Sequence, residues 1–148
     1  MKKVLIACDH GGIELKNQLA ADLAAWEYEV VDLGVNDRVS VDYPDYALKL
    51  GRSVVAGDAE LGVLVCGTGI GMSIAANKVH GVRAAMVGDE FSARMARQHN
   101  NANVICLGGR VLGPDRARAI LKAFMDAEFE GGRHQRRLDI ITAAETEG

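Results

Sequence analysis

Five short apolar runs, each ended by a glycine-bearing or polar turn and followed by a stretch with helical spacing, leave this chain few architectures. Residues 3–8, Lys-Val-Leu-Ile-Ala-Cys, form a continuous apolar run, as expected of a strand buried on both faces. Asp9-His10-Gly11-Gly12 breaks the run, and residues 14–26 carry Leu15, Leu19, Leu23 and Trp26 at helical spacing. Residues 29–34 read as a second strand, and 35–42 as a polar loop leading to Tyr43-Pro44, where the proline suits the first turn of a helix over 45–56. A third strand over 61–66 precedes a helix over 73–79, and a fourth over 82–87 precedes a helix over 89–98. The fifth strand, 103–107, is closed by Gly108-Gly109 and followed by a helix over 114–129. Glu130-Gly131-Gly132 then breaks the chain before a basic segment over 133–144.

Parallel strands need crossovers, and helices supply them, so the alternation predicts a parallel sheet covered on both faces. The fold class is α/β: a Rossmann-like three-layer α/β/α domain with a five-stranded parallel sheet. The 148 residues form one domain, 1–148, with no gap long enough for a linker, and can bury a core without disulfides or metals. A net charge of −3 gives no reason to expect nucleic acid as a partner. No apolar run reaches a membrane span. The three cysteines, an odd number without CxxC spacing, argue against a disulfide framework or zinc site and for a reducing cytoplasm.

In such sheets ligands bind beyond the carboxyl ends of the strands. Asp9 and His10 follow strand one, Cys66 to Gly71 follow strand three, and Arg110 follows strand five; His99-Asn100 lies at the far end of the helix before strand five. The stretch Cys66-Gly67-Thr68-Gly69-Ile70-Gly71 places backbone N–H groups around a small cavity with a thiol at its entrance. It is neither the dinucleotide fingerprint nor a Walker loop, and glycines after a strand often serve only turn and packing. A cysteine at a strand end is usually a small buried hydrophobe, which is the reading for Cys8 and Cys106. Cys66 differs because the glycine turn follows it directly, a setting that makes a thiolate available as base or nucleophile. His10 and His99 could be capping or surface histidines, and Tyr43-Pro44 only a turn. In the tail, Arg133 and Arg137 lie one helical turn apart and could clamp a phosphate together, where the plain alternative is a solvated helix start.

With these motifs in hand, the sequence resembles the family of ribose-5-phosphate isomerase B and the allose-6-phosphate and galactose-6-phosphate isomerases. The resemblance rests on residues 8–12 (CDHGG), 42–44 (DYP), 66–78 (CGTGIGMSIAANK), 97–100 (RQHN), 109–111 (GRV) and 130–137 (EGGRHQRR), which span nearly the whole chain. It implies the interconversion of ribose 5-phosphate and ribulose 5-phosphate through a cis-enediolate, without metal or organic cofactor. It implies Cys66 as the base, Gly67, Gly69, Ile70 and Gly71 as the oxyanion turn, and Thr68 as an aid to proton movement between the sugar oxygens. His99 would open the furanose ring, with Asn100 at the enediolate; Asp9 and Tyr43 would orient hydroxyls; His10, Arg110, Arg133 and Arg137 would hold the phosphate, with His134 nearby. Family members form homodimers, in some cases tetramers, with active sites at the subunit interface. One subunit would bring the Cys66 turn and its partner His99 and the tail arginines, the C-terminal helix serving dimerisation. Two rival readings stand beside this one: an isomerase of a six-carbon sugar phosphate, and a non-catalytic module binding a nucleotide or sugar phosphate.

Overall fold

A computed structural model of the chain describes residues 1–147. Its elements are β1 (Lys3–Cys8), α1 (Ile13–Ala25), β2 (Glu29–Asp32), α2 (Tyr43–Val55), β3 (Leu61–Cys66), α3 (Ile70–Ala76), β4 (Ala84–Met86), α4 (Glu90–Gln98), β5 (Val104–Gly108), α5 (Pro114–Asp126) and α6 (Arg133–Glu147). The strands form one parallel sheet in the order β2-β1-β3-β5-β4. Alternation predicts these elements, and the differences lie at their ends. β2 stops at Asp32, whose Oδ1 accepts the Gly34 N–H and turns the chain. β4 keeps three residues because it pairs only with β5 at the sheet edge. α2 begins at Tyr43 and α3 at Ile70, earlier than periodicity alone places them.

Right-handed crossovers decide which face each helix covers. The steps β1 to β2 and β4 to β5 run in one direction across the sheet, and α1 and α4 join α5 on one face. The steps β2 to β3 and β3 to β4 run the other way, placing α2 and α3 on the opposite face. The apolar residues sort accordingly. Ile6, Val63 and Ile105 pack with Leu19 and Phe124 on the first face, whereas Leu64 and Cys106 pack with Leu50 and Met72 on the second.

One buried charge shapes the edge beside β1. Lys16 on α1 is wholly buried, and its Nζ donates to Asp32 Oδ2 at 2.6 Å, to the Val35 carbonyl at 3.1 Å and to Asn36 Oδ1. These acceptors satisfy an ammonium that burial alone would expel, and all three sit at or just after β2. The buried amine thus anchors the loop that runs on to α2. α6 sits apart from this core, with His134 and Leu138 buried and Ile140 and Ile141 exposed. Among the described residues, no helix is long and apolar enough to cross a membrane.

The thiols of Cys8 and Cys106 are buried, and burial pushes both above the ordinary value, that of Cys8 from 9.0 to about 11. The folded state therefore keeps these protons over a pH range in which the unfolded chain releases them. Their contribution is fully present below about pH 9; that of Cys8 is lost as pH rises to about 11, and that of Cys106, pushed up further by deeper burial, goes on falling above it. Urea unfolding free energy should accordingly fall by roughly 2 kcal/mol or more over that interval. Cys8→Ala should flatten the slope, and an unchanged slope would refute this account.

Candidate active site

Three strand–helix connections meet at the carboxyl edge of the sheet. β3 and β5 pair in register as far as Cys66 opposite Gly108, and the pairing continues into the loops. The Gly109 N–H donates to the Cys66 carbonyl at 2.7 Å, and the Arg110 N–H to that of Gly67 at 3.0 Å. On the other side, the Asp9 N–H donates to the Val65 carbonyl at 3.2 Å. Contact is close enough to demand glycine. A Cβ on Gly108 would lie 2.8 Å from the Thr68 carbonyl oxygen, and one on Gly12 2.8 Å from that of Val65.

The thiol sits at the centre of this edge. Cys66 is 6 % exposed, and its Sγ accepts the Gly69 N–H at 3.1 Å. Gly69 caps α3 with φ +83, a left-handed conformation that glycine adopts without penalty. The Ile70 N–H donates to Thr68 Oγ1 at 3.2 Å. So two of the turn's donors are engaged internally, while among the described residues no acceptor takes the N–H of Gly67, Thr68 or Gly71. The engaged donors are those of Gly69 and Ile70, turned to the Cys66 sulfur and to Thr68 Oγ1. Tyr43 lies against this helix: a Cβ on Gly71 would come within 2.6 Å of its ring. The tyrosine reaches the thiol's surroundings because α2 starts at Tyr43 itself.

Arg110 lies over Gly11 and Gly67, where added Cβ atoms would sit 3.3 and 3.4 Å from its guanidinium. Beside it, Asp9 Oδ1 accepts the Gly11 N–H at 2.9 Å. His10 Nδ1 accepts the Val41 N–H at 3.2 Å. With Nδ1 an acceptor, a neutral ring carries its proton on Nε2 and offers a donor there. His10, Gly11, Arg110, Glu14 and Arg38 line a pocket of about 300 Å³. Arg38 is a cation that sequence reasoning did not single out. It pairs with Glu14 at 3.0 Å and arrives on a polar loop whose position no local pattern reveals.

His99, Asn100, Arg133, His134 and Arg137 lie elsewhere. His99 ends α4 and precedes β5, which runs roughly 13 Å from Val104 to Gly108 beside Cys66. These residues therefore occupy the amino edge of the sheet, away from the Cys66 turn of the same chain; the sequence reading assigns His99 and the tail arginines to a partner subunit's site. There the His99 and His134 rings stack, with centroids 4.1 Å apart. Glu130 Oε1 lies 3.7 Å from His99 Nε2 and 3.5 Å from His134 Nε2. The possible ligand atoms of these three residues lie within 4.8 Å of one another. However, the rings are only 15° from parallel, so their in-plane lone pairs run side by side rather than converging on one ion. The cluster fits a carboxylate shared by two imidazoles better than a metal centre. Arg133 and Arg137 are exposed on the same helix start.

Comparison with known proteins finds the family described as Ribose/Galactose Isomerase matching residues 4–141. Ribose-5-phosphate isomerase B of Escherichia coli is 45% identical, covering 98% of this chain and 97% of its own. The structure of ribose-5-phosphate isomerase B from Clostridium thermocellum superimposes with a TM-score of 0.97 at 47% identity, covering 98% of both chains. That of the Mycoplasma genitalium enzyme with bound ribulose-5-phosphate superimposes with a TM-score of 0.94 at 46% identity, covering 99% of this chain and 97% of that one.

Gly69→Ala should lower the unfolding free energy by about 1–2 kcal/mol for the left-handed backbone alone. A further loss should follow because its Cβ would press on Leu107 and Met86 at 3.1 Å. Gly57→Ala, also left-handed but facing open space, should show only the first part. Equal urea midpoints for the two variants would contradict the crowding at Gly69.

Proposed function

The chain belongs to the ribose/galactose isomerase family, and from that premise we propose that it interconverts ribose 5-phosphate and ribulose 5-phosphate with Cys66 as the base. The observation that carries this reading is the Cys66 sulfur, enclosed at the carboxyl edge with the Gly69 N–H directed at it and Arg110 and His10 nearby. The ribulose-5-phosphate held by the Mycoplasma genitalium relative supports the substrate class.

In the proposed sequence, His99 transfers a proton at the ring oxygen and opens the furanose. The Cys66 thiolate then removes the C2 proton of the open aldose, leaving a cis-enediolate and a thiol. The developing oxyanion faces the N–H groups of the turn that have no internal acceptor, where one preorganised donor contributes on the order of 3 kcal/mol. Thr68 assists proton movement between O1 and O2, and the thiol returns its proton to C1. Asp9 and Tyr43 orient hydroxyls, and Asn100 helps hold the enediolate. His10 and Arg110 take the phosphate from one side, Arg133 and Arg137 from the other, with His134 supporting the position of His99. Anchoring the remote phosphate holds the reacting carbons beside the sulfur.

Since the two halves of this machinery lie at opposite edges of one chain, the reading requires a homodimer. One subunit supplies the Cys66 turn, and its partner supplies His99 and the start of α6. The exposure of Arg133, Arg137, Ile140 and Ile141 is in keeping with α6 meeting a second copy.

Cys66→Ala should reduce kcat at least roughly a hundredfold, the lower range for losing a positioned base. Binding of the sugar phosphate should persist, and wild-type activity should be unaffected by EDTA. Failure of the wild type to form ribulose 5-phosphate from ribose 5-phosphate would overturn the isomerase reading. Comparing kcat/KM on ribose 5-phosphate and allose 6-phosphate tests the pentose preference, and a clear preference for the hexose would replace it.

A mixture of Cys66→Ala and His99→Ala chains, each nearly inactive alone, tests the interfacial site directly. Random reassortment into hybrid dimers should restore about a quarter of the wild-type sites. Hybrid dimers without recovered activity would place both residues in one subunit's site and contradict the shared arrangement.

A further inference from the structure

A second cationic pocket lies at the amino edge of the sheet, lined by none of the residues that the proposed chemistry uses. Arg83, Arg97, Asn101, Asn103, Glu60 and Leu61 line a cavity of about 340 Å³, within the range of small-ligand sites. Both guanidinium groups are held by the same short segment. Arg83 Nε donates to the Asn101 carbonyl at 3.0 Å. Arg97 Nη1 donates to Asn101 Oδ1 at 3.0 Å and to the Ala102 carbonyl at 2.6 Å. Asn101 can serve both because its backbone is left-handed, with φ 45, which sends its carbonyl and its side chain to different arginines. Asn103 completes the frame by accepting the Arg83 main-chain N–H at 2.7 Å and donating to the Gly81 carbonyl at 2.9 Å.

These bonds orient the arginines but leave much of each fork unused. Among the described residues, no acceptor takes the terminal nitrogens of Arg83 or Nη2 of Arg97, and Arg97 Nε is buried without any partner. Neither arginine forms an ion pair with a described carboxylate. Glu60, the carboxylate lining the pocket, is exposed and lies 3.8 Å from Lys2 Nζ. Burial draws the Arg97 guanidinium below its ordinary value, and the nearby charge of Arg83 adds to this, against weaker support from Glu60 and Glu128. Two half-buried like charges without a direct counter-ion are destabilising unless something anionic joins them. Arginine forks with free donors match the oxygens of an oxyanion in both charge and geometry.

We propose that the Arg83–Arg97 pocket is a binding site for a small doubly charged oxyanion of the phosphate class, separate from the carboxyl-edge site. Its floor is the Asn101–Asn103 segment, which directly continues the His99-Asn100 turn. An occupant would thus rest against the back of that turn. The inference rests on the arginine geometry alone and stands whether or not the chain isomerises pentose phosphates.

Titration of the full-length protein with inorganic phosphate at constant ionic strength, followed by amide NMR, tests it. The amides of Asn101, Ala102 and Asn103 should shift saturably, with a binding curve distinct from that of Gly11 and Gly67. Arg83→Gln should weaken that curve by roughly tenfold or more, as expected for losing charged hydrogen bonds, while leaving the Gly11 and Gly67 curve unchanged. Arg97→Lys keeps the charge but loses the fork, whose central carbon lies 5.9 Å from the centroid of the Phe124 ring, and should weaken binding similarly if Arg83→Gln fails to fold. Shifts at 101–103 that never saturate, or that persist unaltered in a folded variant, would overturn the proposal.

Discussion

The pairing of β3 with β5 beyond their last paired residues is the constraint from which the carboxyl-edge site follows. Once Cys66 stands opposite Gly108, the Gly109 and Arg110 N–H groups continue the ladder into the Cys66 and Gly67 carbonyls. The two loops then touch so closely that a Cβ at Gly108 would strike the Thr68 backbone. This contact brings the Arg110 guanidinium over the Cys66 turn. It also leaves the turn one compact path, through a left-handed Gly69 whose N–H reaches the sulfur. Thiol, donor and cation are consequences of one strand pairing.

A second constraint acts through topology. Helices that cross from one strand to the next begin at the carboxyl edge and end at the amino edge, so residues at opposite ends of α4 are separated by the depth of the sheet. His99, at the end of α4, is therefore held away from Cys66, and α6 starts beside it because the Glu130 N–H bonds the Gln98 carbonyl and His134 stacks on His99. The division of the machinery between two edges is a property of the parallel crossover. Under the proposed function it is also the reason a second copy is needed. The Arg83–Arg97 pocket arises at the same amino edge, where the strand starts converge.

Much of the fold is legible in the sequence because its signals are local. Continuous apolar runs such as residues 3–8 and 61–66 identify strands buried on both faces, and Leu15, Leu19 and Leu23 identify the inward stripe of α1. The candidate site is legible in part for a different reason. Turns after strands of a parallel sheet share an edge whatever the strand order, so Asp9, His10, Cys66 and Arg110 are brought together by class of fold alone. Element starts are less legible: α2 and α3 begin at Tyr43 and Ile70, where tertiary contact between ring and glycine extends what periodicity indicates. The buried Lys16 was hidden, because its three acceptors come from another part of the chain and a lysine on a helix ordinarily reads as solvated.

By itself the sequence determined the number and order of elements, the parallel sheet, the burial of Cys8 and Cys106, and the special setting of Cys66. Each depends on residue type and on spacing within a few positions. Only the tertiary structure decided the strand order β2-β1-β3-β5-β4, the N–H directed at the Cys66 sulfur, the arrival of Arg38 beside His10, and the placement of His99 with the tail arginines at the far edge. Those outcomes depend on which distant segments become neighbours. That is settled by the direction of each crossover and by close backbone contacts between loops, neither of which leaves a mark in any single stretch of sequence.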